Sequence, residues 1–127
     1  MKLNTPLLAL ALGAFAIGVT EFSPMGMLSV IARDLDVSIP SAGMLISAYA
    51  FGVVIGAPIM TLGFASMSRR RLLMLSMSIF TLGNLVSALS DSYTTLLIGR
   101  IITSFNHGAF FGVGAVVATQ LVPADKR

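Results

Sequence analysis

Three residues of this chain are of types that move protons or hold anions, yet each lies in an apolar stretch: Glu21, Arg100 and His107. An ionisable side chain inside such a stretch is costly unless it faces protein or water, and by default it marks a pathway or relay. A carboxyl so placed can take up and release a proton. An arginine can hold that carboxylate, and an imidazole can shuttle protons or bind substrate. Helical spacing puts Glu21 on one face with Ala14, Gly18 and Met25, where the small residues admit a neighbouring helix. The same spacing sets Arg100 in a polar stripe with Thr103, Ser104 and His107, away from Ile101, Ile102, Phe105 and Ala109. Asn106 flanks the histidine. Glu21 and Arg100 lie at depths that differ by about one helical turn, so the expectation is a direct or water-bridged interaction that protonation of Glu21 would release. Plainer alternatives stand beside each reading: a static glutamate held by a hydrogen bond or ion pair, an arginine that only caps carbonyls, a histidine that only packs.

Other chemistries find no support. There is no cysteine, hence no disulfide framework, thiolate zinc site or thiol nucleophile. One histidine without an acid nearby in sequence is no metal signature, and neither a nucleophile elbow nor a phosphate-binding glycine loop is present. The expectation is a protein that is not an enzyme and carries no cofactor or metal. Composition places it: of 127 residues 56% are apolar and 10% charged, against about 25% charged in an average soluble domain. The net charge of +3 comes from only eight basic residues. They cluster once, at Arg69, Arg70 and Arg71, which is no nucleic-acid-binding face. The partner implied is the lipid bilayer.

The elements that must position these residues are four apolar runs, at about 6–31, 41–65, 72–90 and 94–121, each long enough for a span of about 20 residues. Lipid offers no partner to a free amide, so all four are expected to be helices. A cleaved signal peptide would account for Lys2 and the apolar core after it, but the run extends further and three more follow. Lys2, Arg69, Arg70, Arg71, Lys126 and Arg127, with Asp125, fall on one side of the bundle; Arg33, Asp34, Asp36 and Asp91 fall on the other. Basic loops stay in the cytoplasm. Both termini are therefore expected there, with the loops near 32–40 and 90–93 outside. The short connections make successive helices antiparallel neighbours. Ser38 is placed to cap the second helix, with Pro40 in its first turn. Gly52-x-x-x-Gly56 and Gly108-x-x-x-Gly112 permit close backbone approach. Pro24 with Gly26, and Pro58, should bend their helices or leave carbonyls free. Eight methionines read as adaptable packing.

Several of these residues together resemble a known family. Thr20-Glu21-Phe22, Gly26-Met27-Leu28 and Ile31-Ala32-Arg33-Asp34-Leu35-Asp36-Val37-Ser38 are similar to the first helix and loop of drug/proton antiporters of the major facilitator superfamily, in particular the sugar (arabinose) efflux permease branch. Ala42-Gly43, Tyr49, Gly52 and Gly56-Ala57-Pro58 fit that branch's second helix, and Asn106-His107-Gly108-Ala109-Phe110-Phe111-Gly112 its fourth. Two superfamily motifs depart from pattern. In the cytoplasmic loop Gly-x-Leu-Ala-Asp-Arg-x-Gly-Arg-Arg, this chain has Thr61, Ala65, Ser66 and Ser68 for the first Gly, the Asp, the first Arg and the second Gly; Arg69, Arg70 and Arg71 survive. The acid that latches this loop is thus missing, and any switch role rests on the arginines, which topology anchoring alone would also explain. In Arg-x-x-Gln-Gly, Arg100 is kept while Thr103 and Ser104 replace the last two residues.

The resemblance implies an inner-membrane, all-α polytopic bundle whose four helices form the first third of a twelve-helix fold built from inverted three-helix repeats. It implies the N-terminal part of a proton-coupled exporter of a small molecule, sugar or drug-like, with Glu21, Arg100, Asn106 and His107 on the proton or substrate pathway. Its partners would be protons, the substrate and the remaining transporter helices, without which the chain should be inactive. Two alternatives stay open: a complete four-helix multidrug transporter acting as a dimer, and a non-transporting fragment or assembly partner.

Overall fold

The computed structural model describes residues 4–122, so the expectations placed on Lys2, Asp125, Lys126 and Arg127 lie outside the described residues. All regular structure among those described is helical: α1 Thr5–Gly26, α2 Leu28–Asp34, α3 Ile39–Gly63, α4 Arg69–Ala88 and α5 Tyr93–Leu121. Four of them, α1, α3, α4 and α5, are long and apolar enough to cross a membrane.

The first apolar run is not one helix. It breaks at Met27 into α1 and the short α2, three residues after Pro24, whose ring removes a backbone donor inside the helix. α2 ends at Asp34, and in the turn that follows, Asp36 has a left-handed φ of 50°. In that turn the Asp36 and Val37 amides donate to the Arg33 and Ala32 carbonyls. Aspartate tolerates the conformation better than most residues with a Cβ.

Side chains start the helices where the sequence offers them. Asn4 accepts from the Leu7 amide at 3.3 Å, Ser38 from Ser41 at 3.2 Å and Ser92 from Thr95 at 3.3 Å, and Pro occupies the first turns of α1 and α3. Each device satisfies or removes an amide that has no partner inside its helix.

α5 is the hub, packing against α4 along most of its length, extensively against α3 and more sparsely against α1. Lipid tails give no hydrophobic drive between helices, so close packing has to hold them. Glycines provide it. A Cβ on Gly52 would strike the Ser104 side chain, one on Gly56 would lie 2.8 Å from Phe105 Cα, and one on Gly83 would lie 2.6 Å from Thr103 Cγ2. Gly108 meets Ala57 and Gly99 meets Ser87 in the same way. Both glycines of the α3 pair are therefore in use, but in the α5 pair only Gly108 is, since Gly112 has nothing within 4 Å of a would-be Cβ. Ile17, Phe80 and Phe110 join α1, α4 and α5 in one apolar cluster, and Met60, Leu72 and Ala109 join α3, α4 and α5 in another.

The bundle is tied at both ends. The Asn4 amide donates to the Leu121 carbonyl at 3.1 Å, so the start of α1 and the end of α5 share one end. At the other end the Tyr93 hydroxyl donates to the Ser41 carbonyl at 2.8 Å, joining the starts of α3 and α5.

Candidate functional site

A polar cluster sits where α1, α3 and α5 meet. α1 supplies Glu21 and the backbone of Thr20, α3 supplies Tyr49, and α5 supplies Arg100 and His107. The interlock of Gly52, Gly56 and Ala57 with Ser104, Phe105 and Gly108 sets α3 against α5 at this level, which brings Tyr49 between Arg100 and His107.

Arg100 is 4% exposed. One of its guanidinium nitrogens, Nη1, donates to the Thr20 carbonyl at 2.7 Å. That carbonyl needs an outside donor, because the residue four positions on, which would normally supply an amide, is Pro24. The Arg100 Cζ also stands 4.4 Å from the centre of the Tyr49 ring, a cation–π contact in a desolvated setting. The Thr20 hydroxyl donates to the Asn84 side chain at 3.3 Å, so α4 reaches the same point on α1.

Glu21 and His107 form the other half of the cluster. Glu21 Oε2 lies 3.9 Å from His107 Nδ1, and the side chains are 29% and 18% exposed. The Tyr49 hydroxyl is 3.2 Å from that same Nδ1, and the His107 ring packs 4.9 Å from the centre of the Phe111 ring. A carboxylate, an imidazole and a phenol, half shielded from outside, can pass a proton among themselves; with Arg100 close by they can also hold a charged or hydroxylated molecule.

The direct form of the expected Glu21–Arg100 partnership is not made. Among the described residues the ion pairs within 4.0 Å are Glu21 with His107 and the exposed Arg33 with its neighbour Asp34, while Arg100 caps a carbonyl. The reason lies in α1. Its deeply buried positions are Gly13 and Ile17, not the face through Ala14, Gly18 and Met25; Met25 is 49% exposed, and Gly18 has nothing within 4 Å of a would-be Cβ. This rotation turns the Thr20 backbone toward Arg100 and leaves Glu21 beside His107.

The stripe on α5 also divides. Thr103 and Ser104 satisfy their hydroxyls on the Gly99, Arg100 and Ile101 carbonyls of their own helix, and they serve as the knobs facing Gly83 and Gly52. The buried side of α5 is wider than that stripe, since Ala109 is fully buried. Asn106 is fully buried too, but its amide oxygen and nitrogen find no protein partner. Arg69, Arg70 and Arg71 are exposed at the start of α4 and are not brought to the cluster. Sequence reasoning gave no role to Tyr49 or to the Thr20 carbonyl. The signal for the second was present, a proline four residues after Thr20 in an apolar helix. No group of three or more potential metal ligands occurs among the described residues.

Four membrane-length helices, three of them gathered on the fourth, with charged side chains inside the bundle, define a polytopic membrane protein. Residues 10–127 match the Major Facilitator Superfamily, and the chain belongs to it. It is 64% identical over 127 residues to the inner membrane transport protein YdhP of Escherichia coli, covering 100% of this chain and 33% of that protein. It is 38% identical over 122 residues to a chloramphenicol efflux pump of Mycobacterium tuberculosis, covering 96% of this chain and 30% of the pump. It is 35% identical over 118 residues to a protein of Helicobacter pylori named "Probable sugar efflux transporter", covering 92% and 30%. The chain thus spans about a third of the length of the curated relatives it matches, and its helices correspond to their first third.

Proposed function

We propose that these helices are the N-terminal third of an inner-membrane, proton-coupled exporter of a small molecule, with both termini of the chain in the cytoplasm. The observation that carries this reading is the contact between Glu21 and His107, two groups able to exchange a proton, on helices that pack only sparsely against each other. A proton bound there neutralises the carboxylate and frees the imidazole, changing what a substrate meets. The relatives named for chloramphenicol and sugar efflux indicate the substrate size. α1 leaves much of its apolar surface uncovered within the chain, which agrees with a part that works only beside further helices. Arg69, Arg70 and Arg71 serve on this reading to hold the loop before α4 on the cytoplasmic side.

The test is Glu21→Gln in the full-length transporter, in everted vesicles energised by a proton gradient, with chloramphenicol and a panel of sugars as probes. Gradient-driven transport should be lost while the protein still inserts. Transport at the unaltered rate overturns the reading, as does export by the 127 residues reconstituted alone.

A further inference from the structure

The two contacts to His107 converge on one atom. Tyr49 Oη lies 3.2 Å and Glu21 Oε2 3.9 Å from the same Nδ1. A neutral imidazole has one nitrogen that donates and one that accepts, so Nδ1 cannot accept from the tyrosine and donate to the carboxylate together. We propose that Tyr49 is a positioning residue that decides which nitrogen of His107 carries the proton. With its O–H donated to Nδ1, the imidazole is held as the Nε2–H form, and a proton on Glu21 stays on Glu21. When the hydroxyl turns away, Nδ1 accepts the carboxyl proton: the O–H bond of Glu21 breaks, the N–H bond forms, and a carboxylate faces an imidazolium. This deepens the proposed function and rests on Glu21 exchanging protons.

Tyr49 is well placed for such control. It is 2% exposed, its ring meets that of His107 edge-on at 6.0 Å, and the ring also seats Arg100 at 4.4 Å. The proton event and the arginine are thereby linked through one side chain of α3. The titratable and charged groups around His107 are Glu21 from α1, Tyr49 from α3 and Arg100 from its own helix; those of α4, Arg69, Arg70 and Arg71, sit at the start of that helix.

The experiment is solid-state NMR on the full-length transporter in bilayers, with nitrogen-15 histidine, at a pH where the imidazole is neutral. The His107 signals are those lost in His107→Gln. The unaltered protein should show Nδ1 as the bare nitrogen, and Tyr49→Phe should raise the Nδ1–H share by about two- to tenfold, the worth of one hydrogen bond. The phenylalanine keeps the ring that packs on Arg100, so a purely structural role would leave the tautomer where it was. A proton on Nδ1 in the unaltered protein overturns the proposal without any variant, and so does an unchanged tautomer in Tyr49→Phe. Failure here, with transport still lost in Glu21→Gln, removes only the role of Tyr49. Normal transport in Glu21→Gln instead removes the reading beneath it.

Discussion

Arg100 completes a hydrogen bond that Thr20 cannot make within its own helix: Nη1 donates at 2.7 Å to a carbonyl whose expected donor has been replaced by Pro24. Sequence, local structure and packing are joined in that contact. The proline opens α1, the arginine closes it from α5, and the buried charge gains an acceptor.

Removing the arginine should therefore cost stability in a way that depends on the proline. Arg100→Ala strands the Thr20 carbonyl and is expected to destabilise the full-length protein by roughly 1–3 kcal/mol. Pro24→Ala restores the missing amide, and in that background the loss should shrink by about 1 kcal/mol. Thermal unfolding in detergent of the four members of the cycle measures the coupling; additive losses would show that the two residues act independently.

The glycines should sort by what they touch. Gly56→Ala drives a methyl to within 2.8 Å of the Phe105 backbone and should cost about 1–3 kcal/mol. Gly18→Ala, with nothing in reach, should leave stability unchanged or raise it by up to about 1 kcal/mol from helix propensity alone. Unfolding midpoints of the two variants, compared side by side, decide this.

Asn106 gives a test that separates architecture from function. Its buried amide has no protein partner, so Asn106→Ala removes an unsatisfied group and should change stability by less than about 1 kcal/mol. A loss of transport with the unfolding midpoint unmoved would place the amide on the substrate pathway. A large fall in stability would instead give it a structural role.

The absence of cysteine in these residues makes the orientation simple to read. Single cysteines at the exposed positions Asp91 and Ser66, in an otherwise cysteine-free transporter, should behave oppositely toward a membrane-impermeant maleimide on intact cells. Asp91→Cys should be labelled at once, and Ser66→Cys only after the membrane is opened. The reverse pattern would invert the proposed topology.

The fold was legible wherever one physical constraint acted alone. Apolar runs of bilayer length gave α3, α4 and α5 because nothing competes with helix formation in lipid, and Ser38 announced its cap. The end of α1 was harder. Pro24 pointed to a disturbance, but whether it bends or breaks the helix depends on how the freed carbonyl is satisfied, and the donor lies 80 residues away. The site was half legible for the same reason. Charge in an apolar stretch singled out Glu21, Arg100 and His107. Their pairing depends on the rotation of α1 about its axis, which places Gly13 against the Phe110 ring and Ile17 in the core, and no periodicity within α1 reveals it. Tyr49 entered only through the family resemblance, because the role of a tyrosine in an apolar helix shows only when its hydroxyl and ring have neighbours.

The position of α5 at the centre of the bundle bears on how the protein is made. Synthesis proceeds from the N-terminus, so α1, α3 and α4 emerge before the helix that each of them packs against. They have few contacts with one another and enter the bilayer as nearly independent spans. Among the described helices, α5 is the first that packs against all three of them. A nascent chain halted before Tyr93 would leave three spans without the helix that each of them packs against. Within these residues the hub helix is thus where three separate spans first find a shared partner.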